Sequence, residues 1–193
     1  WPEAYSGVVF MGGPMSANDD LPWIPRALEL IRRAVERDVP VLGHCLGSQL
    51  MAKALGGLVT RNPVREIGWN DVVRVENPIS HDWLAGLPDR FEAFHWHGET
   101  FTIPPGGAHI LSSSYCRNQG FVLGKHLGLQ CHIEMTASMV QAWCVNGADE
   151  IREHLGASVQ HADTMTENLD QRIKTLNAIA AQLYSRWIKG LAS

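Results

Sequence analysis

The sequence lacks the features that would mark a membrane, nucleic-acid or disulfide protein. No stretch reaches the roughly 18 consecutive apolar residues that a membrane span requires. There is no basic excess: 16 Lys and Arg stand against 20 Asp and Glu, for a net charge of -4 at pH 7. Phosphate binding needs clustered Lys and Arg, so nucleic acid is not an expected partner. Cysteine is scarce. None of Cys45, Cys116, Cys131 and Cys144 is spaced CxxC, so neither a disulfide framework nor a CxxC zinc site is expected. Free thiols in a reducing cytoplasm are the expectation. His95-Trp96-His97 offers two metal ligands without a clear third, so no metal is expected either. Internal repeats and low-complexity segments are missing too. So is an initiating Met, since the chain opens Trp1-Pro2.

What is present is enough for a core: 193 residues, 45% hydrophobic, sized for one globular domain. Gly7 to Met11 is a short apolar run ended by Gly12-Gly13-Pro14, a strand followed by a turn. Pro22 to Arg37 carries Ile24, Leu28, Ile31 and Val35 at helical spacing. Val39 to His44 is a second buried strand, and Leu46 to Leu55 a helix closed by Gly56-Gly57. Strand, helix, strand, helix predicts a parallel sheet with helices on its faces. The middle is denser in strands, at Gly68–Glu76, Arg90–His95, His109–Ser113, Gly120–Lys125 and Gly128–His132. Helices return after Met135. The last is expected over about Glu167 to Trp187, with Leu169, Ile173, Leu176, Ile179, Leu183 and Trp187 on one stripe that caps the sheet.

The chemistry concentrates in Gly43-His44-Cys45-Leu46-Gly47, where a strand runs straight into a helix. Such a turn lifts its central residue above the sheet edge, and flanking glycines remove side chains that would collide there. A helix N-terminus favours an anion and leaves backbone N–H groups without helical partners. A cysteine so placed is a candidate acyl nucleophile. The same pentapeptide also fits a cysteine that merely packs between strand and helix. A base is offered by Gln130-Cys131-His132-Ile133-Glu134, because residues two apart in extended chain share a side and Glu134 can orient His132. Alone, that pair also reads as a surface salt link. Gly12-Gly13-Pro14 is expected at the same sheet edge, with glycines that let a backbone N–H approach a reacting carbonyl; a simple tight connection reads equally well.

Taken together, Gly12-Gly13-Pro14-Met15-Ser16, then Gly43 to Gln49, then Gln130 to Glu134 resemble the class I glutamine amidotransferases, notably those similar to the amidotransferase part of GMP synthase. The resemblance runs from the first strand to about Cys144. It implies an α/β fold: a mostly parallel open sheet with helices on both faces, a flavodoxin-like three-layer sandwich, with additional short strands in the middle. It implies a catalytic triad of Cys45, His132 and Glu134, an oxyanion hole from the N–H groups of Gly13 and Leu46, and substrate contact through Gln49. His97, in His-Trp-His-Gly-Glu, matches a region where relatives carry a His-Gly-Asp motif; an aromatic-flanked structural histidine is the other reading. The implied substrate is glutamine or a γ-glutamyl compound, with no cofactor. The implied partner is a synthetase that accepts ammonia, since no synthetase domain follows. Two other functions stay open, a γ-glutamyl peptide hydrolase and a non-catalytic binding module. The chain departs from the family in two respects. Cys131 stands where a Phe is usual, and the strand and helix elements that usually precede Gly-Gly-Pro are expected to be missing from a single domain spanning 1–193.

Overall fold

The computed structural model describes residues 1–191. Its elements are β1 (Val8–Phe10), α1 (Trp23–Glu36), β2 (Val41–His44), α2 (Leu46–Ala54), β3 (Val59–Arg74), α3 (Pro78–Trp83), β4 (Arg90–Phe101), β5 (Ala108–Ser113), β6 (Gly120–Leu123), β7 (His126–Leu129), α4 (Ala137–Asn146), α5 (Ala148–His154), α6 (Ala162–Thr166) and α7 (Leu169–Ile188). Among the described residues the strands form one sheet in the order β1-β2-β7-β6-β5-β3-β4.

The α/β fold with helices on both faces is present. The sheet, however, is mixed rather than mostly parallel. Only the pairs β1–β2 and β2–β7 are parallel, whereas β7–β6, β6–β5, β5–β3 and β3–β4 are antiparallel. The physical reason is connection length. Helix α1 carries the chain from β1 back to a parallel β2, but the short connections 114–119 and 124–125 let β5, β6 and β7 follow one another as hairpins. In β2 and β7 every residue is buried, as expected for strands covered on both faces.

Strands β3 and β4 are longer than the sequence pattern predicts. They pair from Val59↔Phe101 to Val73↔Arg90, with a register shift between Arg61 and Glu66. Pro63 lies inside that irregularity, where its missing N–H breaks no ladder bond. The proline and the surrounding charges hide this arm from a period-two reading. Strand β7 stops at Leu129, so His132 and Glu134 lie beyond it.

Two apolar clusters sandwich the sheet. On one face Ile24, Ile31 and Ala34 of α1 and Leu50 and Met51 of α2 pack on Val41, Phe101 and Phe121. On the other, α7 packs on Leu42, Leu127 and Leu129. Leu169, Ile173, Leu176, Ile179, Leu183 and Trp187 are all buried, so the α7 stripe caps the sheet. No helix among the described residues is long and apolar enough to cross a membrane.

Candidate active site

The turn from β2 into α2 is strained at one residue. Cys45 has φ 48° and ψ -109°, a conformation that a side chain rarely adopts. Its neighbours explain how the turn fits. A Cβ on Gly47 would stand 2.1 Å from the Phe10 carbonyl oxygen, and one on Gly43 would stand 2.7 Å from the Ser48 nitrogen. Only glycines allow β1, β2 and α2 to meet this closely. The turn is pinned by Cys45 N–H donating to the Leu129 carbonyl (2.8 Å) and by Ser48 Oγ donating to the Cys45 carbonyl (2.7 Å).

Next to the thiol lies the His132 ring. A Cβ on Gly12 would come 3.1 Å from His132 Cε1 and 3.5 Å from Cys45 Cβ, so these three residues crowd one spot. The backbone of His132 is held by β4: its N–H donates to the Phe94 carbonyl (2.8 Å), and Phe94 N–H donates back (3.3 Å). His132 Nδ1 is 2.6 Å from Glu134 Oε1. Burial would lower the pKa of His132. The Glu134 carboxylate and the hydrogen bonds with Cys45 and Glu134 overcome this and raise it to about 10. Burial would likewise raise Glu134, yet His132, with His44 beside it, holds the carboxyl well below its usual range. The His132 and Trp143 rings meet in a T-shaped contact, with centroids 4.9 Å apart and planes at 89°.

Gly13 lies against Leu46, its ideal Cβ position being 3.1 Å from Leu46 Cδ2. Leu46 opens α2, so its N–H has no helical acceptor. Gln49, from the first turn of α2, donates through Nε2 to Gln130 Oε1 (3.0 Å), and Gln130 Nε2 lies 3.5 Å from Cys45 Sγ. Cys45, Gly13, Gln49 and His97 share a cavity of about 890 Å³, whose outer wall includes Arg61, Arg65, Glu150 and His154.

His97 is placed differently from the others. Its side chain is 1% exposed, and both ring nitrogens are engaged: Nε2 3.1 Å from Glu66 Oε2, Nδ1 2.9 Å from the Glu99 carbonyl. His95 lies alongside, Nδ1 3.5 Å from the same carboxylate oxygen. Glu66 is thus the third metal-capable group that the sequence pattern lacked; the ligand atoms of Glu66, His95 and His97 fall within 4.8 Å of one another. Protein donors already occupy that carboxylate. Ser113 Oγ donates to Oε1 (2.9 Å) and Gln119 Nε2 to Oε2 (2.7 Å). Burial and the nearby Glu66 act oppositely on His95, and burial wins, leaving its pKa at about 4.

The four cysteines are free. Cys131 is fully buried, and burial, then Glu134, pushes its thiol upward. Cys116 and Cys144 are also raised by burial. Sequence reasoning passed over His44, Gln130, Tyr184 and Glu66. His44 and Gln130 sit inside the quoted motifs and could have been flagged as polar residues on buried strand ends. Tyr184 and Glu66 are distant in sequence, and nothing short of the fold brings them to the histidines.

The family profile of the class I glutamine amidotransferases matches residues 1–145, and the chain belongs to that family. It is similar to the glutamine amidotransferase-like protein YfeJ of Salmonella typhimurium, 29% identical over 160 residues, covering 80% of this chain and 67% of that protein. It is also similar to the glutamine-hydrolysing GMP synthase of Thermomicrobium roseum, 37% identical over 130 residues. That match covers 67% of this chain but only 23% of the synthase. Among solved structures, a glutamine amidotransferase from Methylobacillus flagellatus superposes with a TM-score of 0.95 at 50% identity, covering 100% of this chain and 79% of that one. One from Thermotoga maritima gives 0.85 at 34% identity, with 97% and 80% covered.

Proposed function

We propose that the protein cleaves the side-chain amide of glutamine through Cys45, His132 and Glu134 and releases ammonia to an acceptor supplied by a partner synthetase. The observation that carries this reading is the 2.6 Å contact of Glu134 with a His132 ring that crowds the thiol of a strained strand-to-helix turn. The glutamine amide carbon lies over Cys45 Sγ. His132 already holds the proton given up by the thiol as sulfur attacks. The tetrahedral oxyanion is received by the N–H groups of Gly13 and Leu46, donors that contribute on the order of 10²–10³ in rate each. His132 then gives its proton to the departing ammonia, a role that its raised pKa of about 10 supports. The γ-glutamyl thioester on Cys45 is opened by water, with His132 as the base, and glutamate leaves. Glu134 keeps the proton of His132 on Nδ1 and supports the imidazolium. Gln49 contacts the substrate; His97 shapes the cavity wall from behind. Free thiols and a single amidotransferase-like domain fit a cytoplasmic setting.

A second reading uses the same triad on a γ-glutamyl peptide bond. The size of the cavity favours it, as does Arg61 on its outer wall, which suits the carboxylate of a longer leaving group, whereas Arg65 is paired with Glu150. Glutamate release by the full-length protein, measured with glutamine and with γ-glutamyl dipeptides, separates the two. Slow release from glutamine that a synthetase stimulates supports the amidotransferase. Fast release from dipeptides with negligible glutaminase activity sinks it but leaves the triad intact. Inertness to both, with Cys45 unreactive to a glutamine-like electrophile, leaves a binding module.

A further inference from the structure

Glu134 is held from two sides. Oε1 faces His132, while Oε2 lies 3.3 Å from Nδ1 of His44, a close pair that is misaligned for a straight hydrogen bond. His44 is the last residue of β2, beside Cys45, and is 1% exposed. Its other nitrogen, Nε2, is 2.9 Å from the hydroxyl of Tyr184. Tyr184 projects from α7, which lies wholly outside the residues matched by the family profile. The ring of Tyr184 also meets His44 edge-on, centroids 5.8 Å apart.

The donor and acceptor roles follow from chemistry. A carboxylate oxygen can only accept, so His44 carries its proton on Nδ1. Neutral His44 then presents a lone pair at Nε2, and the Tyr184 hydroxyl donates to it. Burial favours neutral His44 over the imidazolium, outweighing the attraction of Glu134. Burial also keeps the Tyr184 hydroxyl protonated. The arrangement runs Tyr184 O–H to His44 Nε2, then His44 Nδ1 facing Glu134 Oε2 in a 3.3 Å contact between two buried atoms that have no hydrogen-bond partner, and Glu134 Oε1 to His132 Nδ1–H.

We propose that His44 and Tyr184 are positioning residues for the proposed triad, clamping Glu134 so that its other oxygen stays on His132, and that α7 thereby serves the site as well as capping the sheet. The proposal rests on the reading of Cys45, His132 and Glu134 as catalytic. The titratable groups facing this cluster are Cys45 from the β2–α2 turn, His44 from β2, Cys131, His132 and Glu134 from the segment after β7, and Tyr184 from α7. Trp143 of α4 contributes an uncharged ring.

The test uses Tyr184→Phe, His44→Leu and His44→Asn in the full chain. Asn keeps an N–H donor near the place of Nδ1; Leu does not. One hydrogen bond is worth about three- to tenfold in rate, and the misaligned contact of His44 with Glu134 is assigned about the same, so kcat should fall by about three- to tenfold in both Tyr184→Phe and His44→Leu. KM should move by less than about twofold, because neither residue touches substrate. His44→Asn should recover most of the loss. The alkaline limb of the pH profile should move down in His44→Leu, because a loosened Glu134 supports the His132 imidazolium less. The rate of Cys45 alkylation against pH reads the same limb without turnover. If wild-type protein turns nothing over and Cys45→Ala changes nothing, the triad reading fails, while the alkylation profiles still judge the clamp. If Tyr184→Phe and His44→Leu keep wild-type kcat and both limbs, the proposal is overturned. It is equally overturned if kcat falls only in step with thermal stability while the limbs stay fixed.

Discussion

The molecule contains two clusters of one glutamate between two histidines, and they differ in what they face. Glu134 lies between His132 and His44 at the end of the parallel strands. Glu66 lies between His95 and His97 inside the antiparallel arm. In the first, one histidine borders Cys45, a thiol 7% exposed to a cavity. In the second, His97 Nε2 faces the carboxylate itself, and the other ring nitrogens and the rest of the carboxylate are taken up by Asn70, Glu99, Ser113 and Gln119. Identical side chains can thus stand beside a thiol in one place and tie strands together in another. The difference lies in access, a strained neighbour and free backbone donors, none of which belongs to the histidines themselves.

The comparison breaks most sharply at Cys45. Cys45→Ala should lower glutamate release by about 10⁴-fold or more while thermal unfolding stays near wild type. Retained activity would dissolve the contrast between the clusters. Glu134→Gln comes next, with kcat down by about 10³-fold, less than for Cys45→Ala. It also changes how stability depends on pH. His132 has its folded-state pKa raised from 6.5 to about 10, so its contribution is complete below 6.5 and lost as pH rises through about 10. Without the carboxylate that rise shrinks, leaving only the part due to Cys45. Wild-type melting temperature should therefore fall more steeply than that of Glu134→Gln between pH 7 and 10.

The structural cluster should answer in the other currency. Glu66→Gln leaves the donors of Ser113, Gln119 and His97 facing an amide, and should cost about 3 kcal/mol of stability with kcat changed by less than about threefold. Urea unfolding beside steady-state rates would check both numbers. A hundredfold fall in kcat at unchanged stability would move Glu66 into the active site. Smallest is Ser113→Ala, which removes one of several donors to the same carboxylate and should cost about 1 kcal/mol by the same measurement.

These two clusters also mark how far the sequence alone could be read. Cys45, His132 and Glu134 sit in short motifs whose spacing encodes their geometry: a turn between glycines, and two residues two apart on extended chain. The α7 stripe was legible for the same reason, since helical periodicity is local. The direction of the strands after β3 was not, because pairing across the sheet depends on connections rather than on the strands' own composition. Glu66 and His97 are 31 residues apart and meet only through the β3–β4 ladder. The clamp on Glu134 spans 140 residues between His44 and Tyr184. A polar residue on a buried strand announces that a partner exists without saying where it is.

The T-shaped contact of the His132 ring with Trp143 gives the site its own optical signal. A protonated imidazole accepts an electron from an excited indole and quenches its emission, whereas the neutral ring does so weakly. Trp143 should therefore be dark while His132 holds two protons and brighten when one is lost or passed on. The chain has seven tryptophans, so the signal is the difference between wild-type and Trp143→Phe emission. Followed in a stopped-flow mixer with substrate, that difference would report each transfer of the His132 proton in real time, without a coupled assay and without a label.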